Sequence, residues 1–229
     1  LAFTVQPIMF VLLFRYVFGG AIKTPHHESY AEFLIPGIIV QNIAFGGFTT
    51  ALGLNEDMNK GLIDRFRSLP MARAAVLAGR TSADMFTNTL GMTILVVTGL
   101  LIGFSFQTDV LHVVAGALLL VLFGHAFSWV FAWVGLLVRS PEAANSAGFI
   151  AVFPLTFISS AFVPVQTMPA ALRDFAQANP FTIVVDAVRS LWVGNPAGNN
   201  IWEAVLWSVG IIAVFSALAV WRYRRAVAG

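Results

Sequence analysis

Residues whose types and spacing could do chemistry are few in this chain of 229 residues. His125 and Ser128 stand three apart, which on a helix brings an imidazole to the same side as a hydroxyl, the start of a nucleophilic hydrolase; the spacing also arises by chance. Ala74 to Thr81 has the length of a phosphate-binding loop, but alanine stands for its first glycine and Arg80 for its lysine, so neither the backbone cradle nor the ammonium is provided. His26 and His27 are adjacent while His112 and His125 are far apart, so no third ligand falls in register and no metal site is expected. The absence of cysteine removes disulfides, thiol catalysis and thiolate metal sites.

The remaining group is the charged segment Asn55 to Met71. Met58, Leu62, Phe66 and Leu69 recur at steps of four, four and three, which lines them along one helix face. The other face is charged: Glu56 and Lys60 are spaced i,i+4 and Asp64 and Arg67 i,i+3, pairs that contribute a few tenths of a kcal/mol each. Gly61 loosens the middle and Pro70 stops the helix or bends the chain. Two readings stand: a connector lying on the membrane surface, or a docking face for a water-soluble protein. Acidic residues among the basic ones disfavour adhesion to anionic lipid, and a phenylalanine between Arg65 and Arg67 has the composition of an interface anchor, so docking is the stronger reading.

The elements that carry this segment follow from composition. With 58% hydrophobic residues, 10% charged and a mean hydropathy of +0.82, the sequence has too little polar surface to coat a soluble globule. Charge-free runs of about twenty residues suit helices crossing a core of ~30 Å, not the short alternating strands of a barrel. Spans are expected near Ala2 to Phe18, Phe33 to Leu54, Met85 to Phe106, Val110 to Val138, Ala147 to Val165 and Trp202 to Trp221. Loops on one side hold Lys60, Arg65, Arg67, Arg73, Arg80, Arg139, Arg222, Arg224 and Arg225, whereas the other side holds Lys23, Arg173 and Arg189. The excess of positive charge places the 55–84 loop and both termini in the cytoplasm. The net charge of +2 is too small for nucleic-acid binding.

Glycines in the second, third and fourth spans signal close helix packing. The span interiors hold almost no ionisable group, with Asp84 at the start of the third, which argues against an ion-coupled carrier. Gln41, Asn42, Phe45 and Phe48 sit together at mid-span, either as hydrogen-bonding glue and core or as the lining of a route for an amphipathic molecule. On the outer side, Pro164 to Asn200 is punctuated by Pro164, Pro169, Pro180 and Pro196. The pieces Ala170 to Ala178 and Thr182 to Val193 are too short to cross, which fits a re-entrant or interfacial helical hairpin. Asp186 and Arg189 are spaced to pair, and the segment reads either as a structural plug or as part of a release gate.

Glu56-Asp57, Gly61 and Asp64-Arg65-Phe66-Arg67-Ser68-Leu69-Pro70-Met71 together resemble the loop between the second and third spans in type-2 permeases of ATP-binding cassette (ABC) exporters, notably the daunorubicin-resistance-like membrane proteins. Tyr16-Val17-Phe18-Gly19-Gly20-Ala21-Ile22, Leu34-Ile35-Pro36-Gly37 with Gln41, Phe162-Val163-Pro164, Met168-Pro169, Leu172-Arg173, Asn179-Pro180-Phe181-Thr182 and Ala187-Val188-Arg189 extend the resemblance in order over nearly the whole chain. It implies an all-α membrane protein of six transmembrane helices. A short cytoplasmic coupling helix would lie between spans 2 and 3 and the outer hairpin between spans 5 and 6.

Residues 1–229 are then one type-2 transmembrane domain, with that family's amphipathic N-terminal cytoplasmic segment expected to be missing. The resemblance implies a non-catalytic permease that exports hydrophobic or amphipathic compounds, such as a drug, a polyketide antibiotic or a lipid, across a bacterial cytoplasmic membrane. It implies pairing with ABC ATPase subunits, which would bind the ATP and Mg, and with a second permease copy or sister permease in membrane lipid. It assigns ATPase coupling to Glu56, Asp57, Lys60, Leu62, Asp64, Arg65, Phe66, Arg67, Leu69 and Pro70. Pro164, Pro169, Arg173, Pro180, Asp186 and Arg189 mark the outer hairpin. The competing readings are an intramembrane lipid-modifying enzyme or protease using His125 and Ser128, and an ion-coupled carrier or channel.

Overall fold

Apolar runs of this length satisfy their backbone polar groups within helices, and no strand occurs among the described residues. The computed structural model describes residues 2–18, 29–59, 73–138, 140–194 and 200–228. The helices are α1 (Ala2–Leu13, continued by a π turn, Phe14–Phe18), α2 (Tyr30–Asn59), α3 (Arg73–Leu101), α4 (Val110–Leu137) and α5 (Pro141–Phe157). After a 3-10 turn (Val165–Thr167) come α6 (Ala170–Ala178), α7 (Pro180–Val193) and α8 (Asn200–Ala228). Tyr30–Glu56, Leu77–Leu101, Val110–Leu137 and Asn200–Tyr223 are long and apolar enough to cross a membrane.

Several boundaries differ from the charge-free runs, each for a local reason. The second helix starts at Tyr30 rather than Phe33, because Ser29 and Glu32 form a capping box: Ser29 N donates to Glu32 Oε2 (2.9 Å) and Glu32 N to Ser29 Oγ (3.3 Å). It also continues past Leu54 to Asn59, so the first residues of the charged segment extend the span helix instead of opening a separate one. Polar residues alone do not end a helix, and Asn55 is buried there with Nδ2 donating to Val138 O at 2.9 Å. The third helix runs from Arg73 to Leu101 in place of 85–106, taking Arg80 and Asp84 into its body; it ends where Gly103, at φ +100°, turns the chain.

The fifth expected span, 147–165, is instead a helix of 17 residues from Pro141 to Phe157. Ser140 caps it through Ala143 N, and Pro141 occupies the first turn, where its missing N–H costs nothing. Its end is set from outside: Asn179 Nδ2 donates to Leu155 O and Ile158 O, both at 2.7 Å. The same Asn179 caps α7 by accepting from Phe181 N at 3.0 Å, and Gly194 closes α7 at φ +83°.

α2 is the central column. It is buried at every residue from Tyr30 to Gln41 and packs on α3, α4, α5 and α7. α8 packs on α4 and α7 but leaves Trp202, Leu206 and Val214 exposed, as a helix facing lipid does. Small residues set the approach distances. A Cβ on Gly37 would lie 2.2 Å from the Ala161 carbonyl oxygen, backbone that cannot step aside, whereas a Cβ on Gly79 would meet nothing within 4 Å. Gly37→Leu therefore costs about 1–3 kcal/mol by overpacking, read as a lower unfolding midpoint in detergent. Gly79→Ala leaves the midpoint unchanged or slightly raised.

Candidate coupling and transport site

At one end of α2, the helices that bracket the charged segment are tied together by a buried polar cluster. Thr50 Oγ1 on α2 donates to Asp84 Oδ2 on α3, and Arg80 Nη2 donates to Thr49 O at 3.1 Å. Gly53 makes room: a Cβ there would sit 1.6 Å from Arg80 Nη2. Arg80 also acts electrostatically on the Asp84 carboxylate. Asp84 is 7% exposed, so the body of this helix holds a buried ionisable group where the sequence placed it at the start of the span. A signal was present in the sequence, since Arg80 and Asp84 are i,i+4 on one helix and Gly53 stands in the helix before it.

Of the expected coupling residues, Glu56 is exposed on the last turns of α2, and Asp57 continues that helix. Lys60, Leu62, Asp64, Arg65, Phe66, Arg67, Leu69 and Pro70 lie outside the described residues. The segment lies in sequence between α2, which ends at Asn59, and α3, which starts at Arg73.

At mid-span, the four residues proposed as a route divide. Gln41 and Phe48 are buried, each 9% exposed, while Asn42 and Phe45 are half-buried. The Phe48 ring stands edge-on to Phe131 at 4.7 Å and packs over Gly148, making it core. Phe45 contacts Phe48 at 5.1 Å and Phe149 at 6.0 Å. Phe149 opens a column of phenyl rings: Phe149 to Phe153 at 4.8 Å, Phe153 to Phe157 at 4.3 Å, Phe157 to Phe162 at 5.0 Å and Phe162 to Phe14 at 4.9 Å. Phe149, Phe153 and Phe157 each keep more than a third of their surface exposed. Their i, i+4, i+8 spacing was legible in the sequence but was not singled out. Co-facial rings present C–H edges outward, a surface suited to the faces of aromatic molecules.

At the other end of α2, α7 gathers the ends of its neighbours. Pro180 occupies its first turn, Pro164 is buried before the 3-10 turn, and Pro169 precedes α6. Arg173 Nη2 donates to Met168 O at 3.0 Å. Asp186 and Arg189 do pair, with Nη1 to Oδ1 at 3.0 Å. The loop after α3 is stitched to the end of α7: Gln107 N donates to Trp192 O (2.9 Å) and Thr108 Oγ1 to Leu191 O (2.6 Å). Glu32 accepts from Ser105 Oγ (3.1 Å) and Gln107 Nε2 (2.7 Å), linking the start of α2 to that loop. Sequence reasoning missed Glu32, although its capping-box spacing from Ser29 pointed to it.

His125 and Ser128 do not form a nucleophile and base. Ser128 Oγ donates to Gly124 O (3.1 Å), the usual back-bond of a serine inside a helix, and His125 Nε2 accepts from Trp129 Nε1 (3.1 Å). Neither bond joins the serine to the imidazole. Among the described residues, no three His, Asp or Glu side chains converge as metal ligands do.

Residues 1–192 match the family model described as ABC-2 type transporter. The chain is 36% identical over 219 residues to the daunorubicin resistance ABC transporter permease protein DrrB1 of Streptomyces coeruleorubidus, covering 96% of this chain and 77% of that protein. It is 23% identical over 222 residues to the probable doxorubicin resistance ABC transporter permease protein DrrC of Mycobacterium tuberculosis, covering 97% and 80%. It is 24% identical over 192 residues to the putative transport permease ycf38 of Cyanophora paradoxa, covering 82% and 65%. With four membrane-length apolar helices, the central α2 among them, and a family match over most of its length, this multi-pass membrane protein belongs to the ABC-2 type transporter permeases.

Proposed function

We propose that the chain is the transmembrane subunit of an exporter driven by a separate ABC ATPase, moving hydrophobic or amphipathic compounds out across a bacterial cytoplasmic membrane. The observation that carries this reading is the continuity of α2: its 30 residues form one helix, about 45 Å long at 1.5 Å per residue, running from the outer hairpin into the charged segment. A push on that segment passes along one continuous helix, and the Thr50–Asp84 bond delivers it to α3 as well. α1 with its π turn and α5 serve as the first and fifth of six spans. Each is about 26 Å long and matched to the bilayer by local thinning. Both termini and the 55–70 segment are then cytoplasmic.

In this reading the ATPase binds ATP and Mg, and the segment from Glu56 to Pro70 is the coupling helix. The permease bundle, paired with a second copy or a sister permease, switches as rigid bodies between inward-open and outward-open states. Gln41, Asn42, Phe45 and Phe48 begin the substrate route, and the phenyl column extends it. Relatives named for resistance to daunorubicin and doxorubicin support a drug as cargo.

The test is reconstitution of the chain with its ATPase in vesicles and measurement of anthracycline movement. Transport that requires both ATP and the partner supports the proposal; equal flux through the chain alone without nucleotide overturns it. In the same assay Phe45→Ala raises the half-saturating drug concentration about 3- to 10-fold, the value of one lost aromatic contact, with little change in maximal rate. A loss of maximal rate at unchanged half-saturation would place Phe45 outside the route.

A further inference from the structure

The outer hairpin was legible in the sequence either as a plug or as a gate, and the surroundings of Arg189 bear on which. Arg189 is 3% exposed and reaches three elements at once. On α2, Nε and Nη2 donate to the Phe33 carbonyl at 3.0 and 2.6 Å, and Cζ lies 3.8 Å from the centroid of the Phe33 ring. Beyond α5, Nη2 donates to Ser160 O at 2.8 Å. On its own helix, Nη1 meets Asp186 Oδ1 at 3.0 Å, and the same oxygen accepts from Ser160 Oγ at 2.7 Å. Ser160 N in turn donates to Thr182 Oγ1 at 3.1 Å.

The seat on α2 is built for this. Pro36 leaves the Glu32 carbonyl without its helical donor, and the next carbonyl along the same turn, Phe33, is the one Arg189 takes. Gly37 admits the Ala161 backbone beside it. Separating α7 from α2 or from the end of α5 would strand a buried guanidinium and free several carbonyls at once, in surroundings with little water to replace them. A lysine has one point of charge and cannot serve Phe33, Ser160 and Asp186 together in this fork.

We infer that Arg189 is a positioning residue that fixes α7 to α2 and to the end of α5, so that the outer end of the protomer moves with α2 as a single body. α7 is then a keystone that α2 carries, not a flap that swings away from it. The transport consequence rests on the reading of the chain as an ATP-driven permease; the rigidity of the seam does not.

The chain has no cysteine, so a disulfide pair can be placed without background. Ser160→Cys with Thr182→Cys spans the seam between α7 and the end of α5. In the complete complex with its ATPase, Arg189→Gln lowers export at least 10-fold while membrane insertion, assembly and ATP hydrolysis persist. The oxidised cysteine pair in the otherwise native chain exports at the native rate, and oxidising the same pair in the Arg189→Gln chain restores most of the lost export, which reduction reverses. If oxidation stops export in the native background, the hairpin is a moving gate and the inference falls. It falls equally if the weld forms but does not rescue Arg189→Gln, or if the pair does not oxidise at all. Absence of ATP-dependent export from the unsubstituted complex would instead refute the proposed function.

Discussion

Arg65→Glu lowers ATP-dependent export by about two orders of magnitude and leaves membrane insertion unchanged. Arg65 precedes Phe66 in the sequence of the segment proposed to dock the ATPase. Removing one partner of a close interfacial charge pair costs about 2–5 kcal/mol, and reversing its sign adds repulsion, so docking weakens about 30-fold or more. Insertion is decided by the apolar spans, which the substitution does not touch. Arg225→Glu is the control: Arg225 lies over the Trp221 ring at 4.0 Å near the end of α8, where positive charge serves topology, and export changes little. Drug export, ATPase co-purification and ATP hydrolysis, measured on both variants, separate uncoupling from misassembly. Native export by Arg65→Glu with normal assembly would sink the coupling assignment.

Asp84→Leu produces the largest expected loss of stability, about 3 kcal/mol, because it leaves the buried Thr50 Oγ1 without its acceptor and removes the carboxylate on which the half-buried Arg80 acts. Asp84→Asn keeps the Thr50 hydrogen bond and costs less, about 1–3 kcal/mol. Unfolding of the purified chain in mixed micelles, followed by tryptophan fluorescence, reads both. A change under about 0.5 kcal/mol in Asp84→Leu would show that the cluster does not hold α2 to α3. The same variants report on coupling, since a loosened α2–α3 contact passes less of any displacement of the segment into the bundle.

Helix type was legible because hydrocarbon leaves the backbone little choice; of the six expected spans, four are helices long and apolar enough to cross. Helix ends were less so. Charge-free runs place the third helix at Met85 and the fifth at Ala147, because a charge reads as a boundary; Arg80 and Asp84 remain inside because Arg80 bonds the Thr49 carbonyl over Gly53 and Asp84 accepts from Thr50. Caps were the better signal, as Ser29 with Glu32, Ser140 with Pro141 and Asn179 with Pro180 each mark a start that the structure keeps. The i,i+3 pairing of Asp186 and Arg189 followed from spacing alone. That the same guanidinium reaches Phe33 did not, because a contact across 156 positions depends on how α2 and α7 pack. The phenyl column is intermediate: its i,i+4 rhythm is local, whereas its continuation through Phe162 to Phe14 depends on the turn after α5.

The central claim is that the segment from Glu56 to Pro70 is where an ATPase grips the permease. A single cysteine at Leu62, carrying a photoreactive maleimide and irradiated in membranes that contain the assembled complex, tests it most directly. The account predicts one dominant protein adduct, to the ATPase subunit, with a yield that changes between nucleotide-free and ATP-bound states. Adducts to lipid alone, equal in both states, would contradict it and return the segment to a connector on the membrane surface.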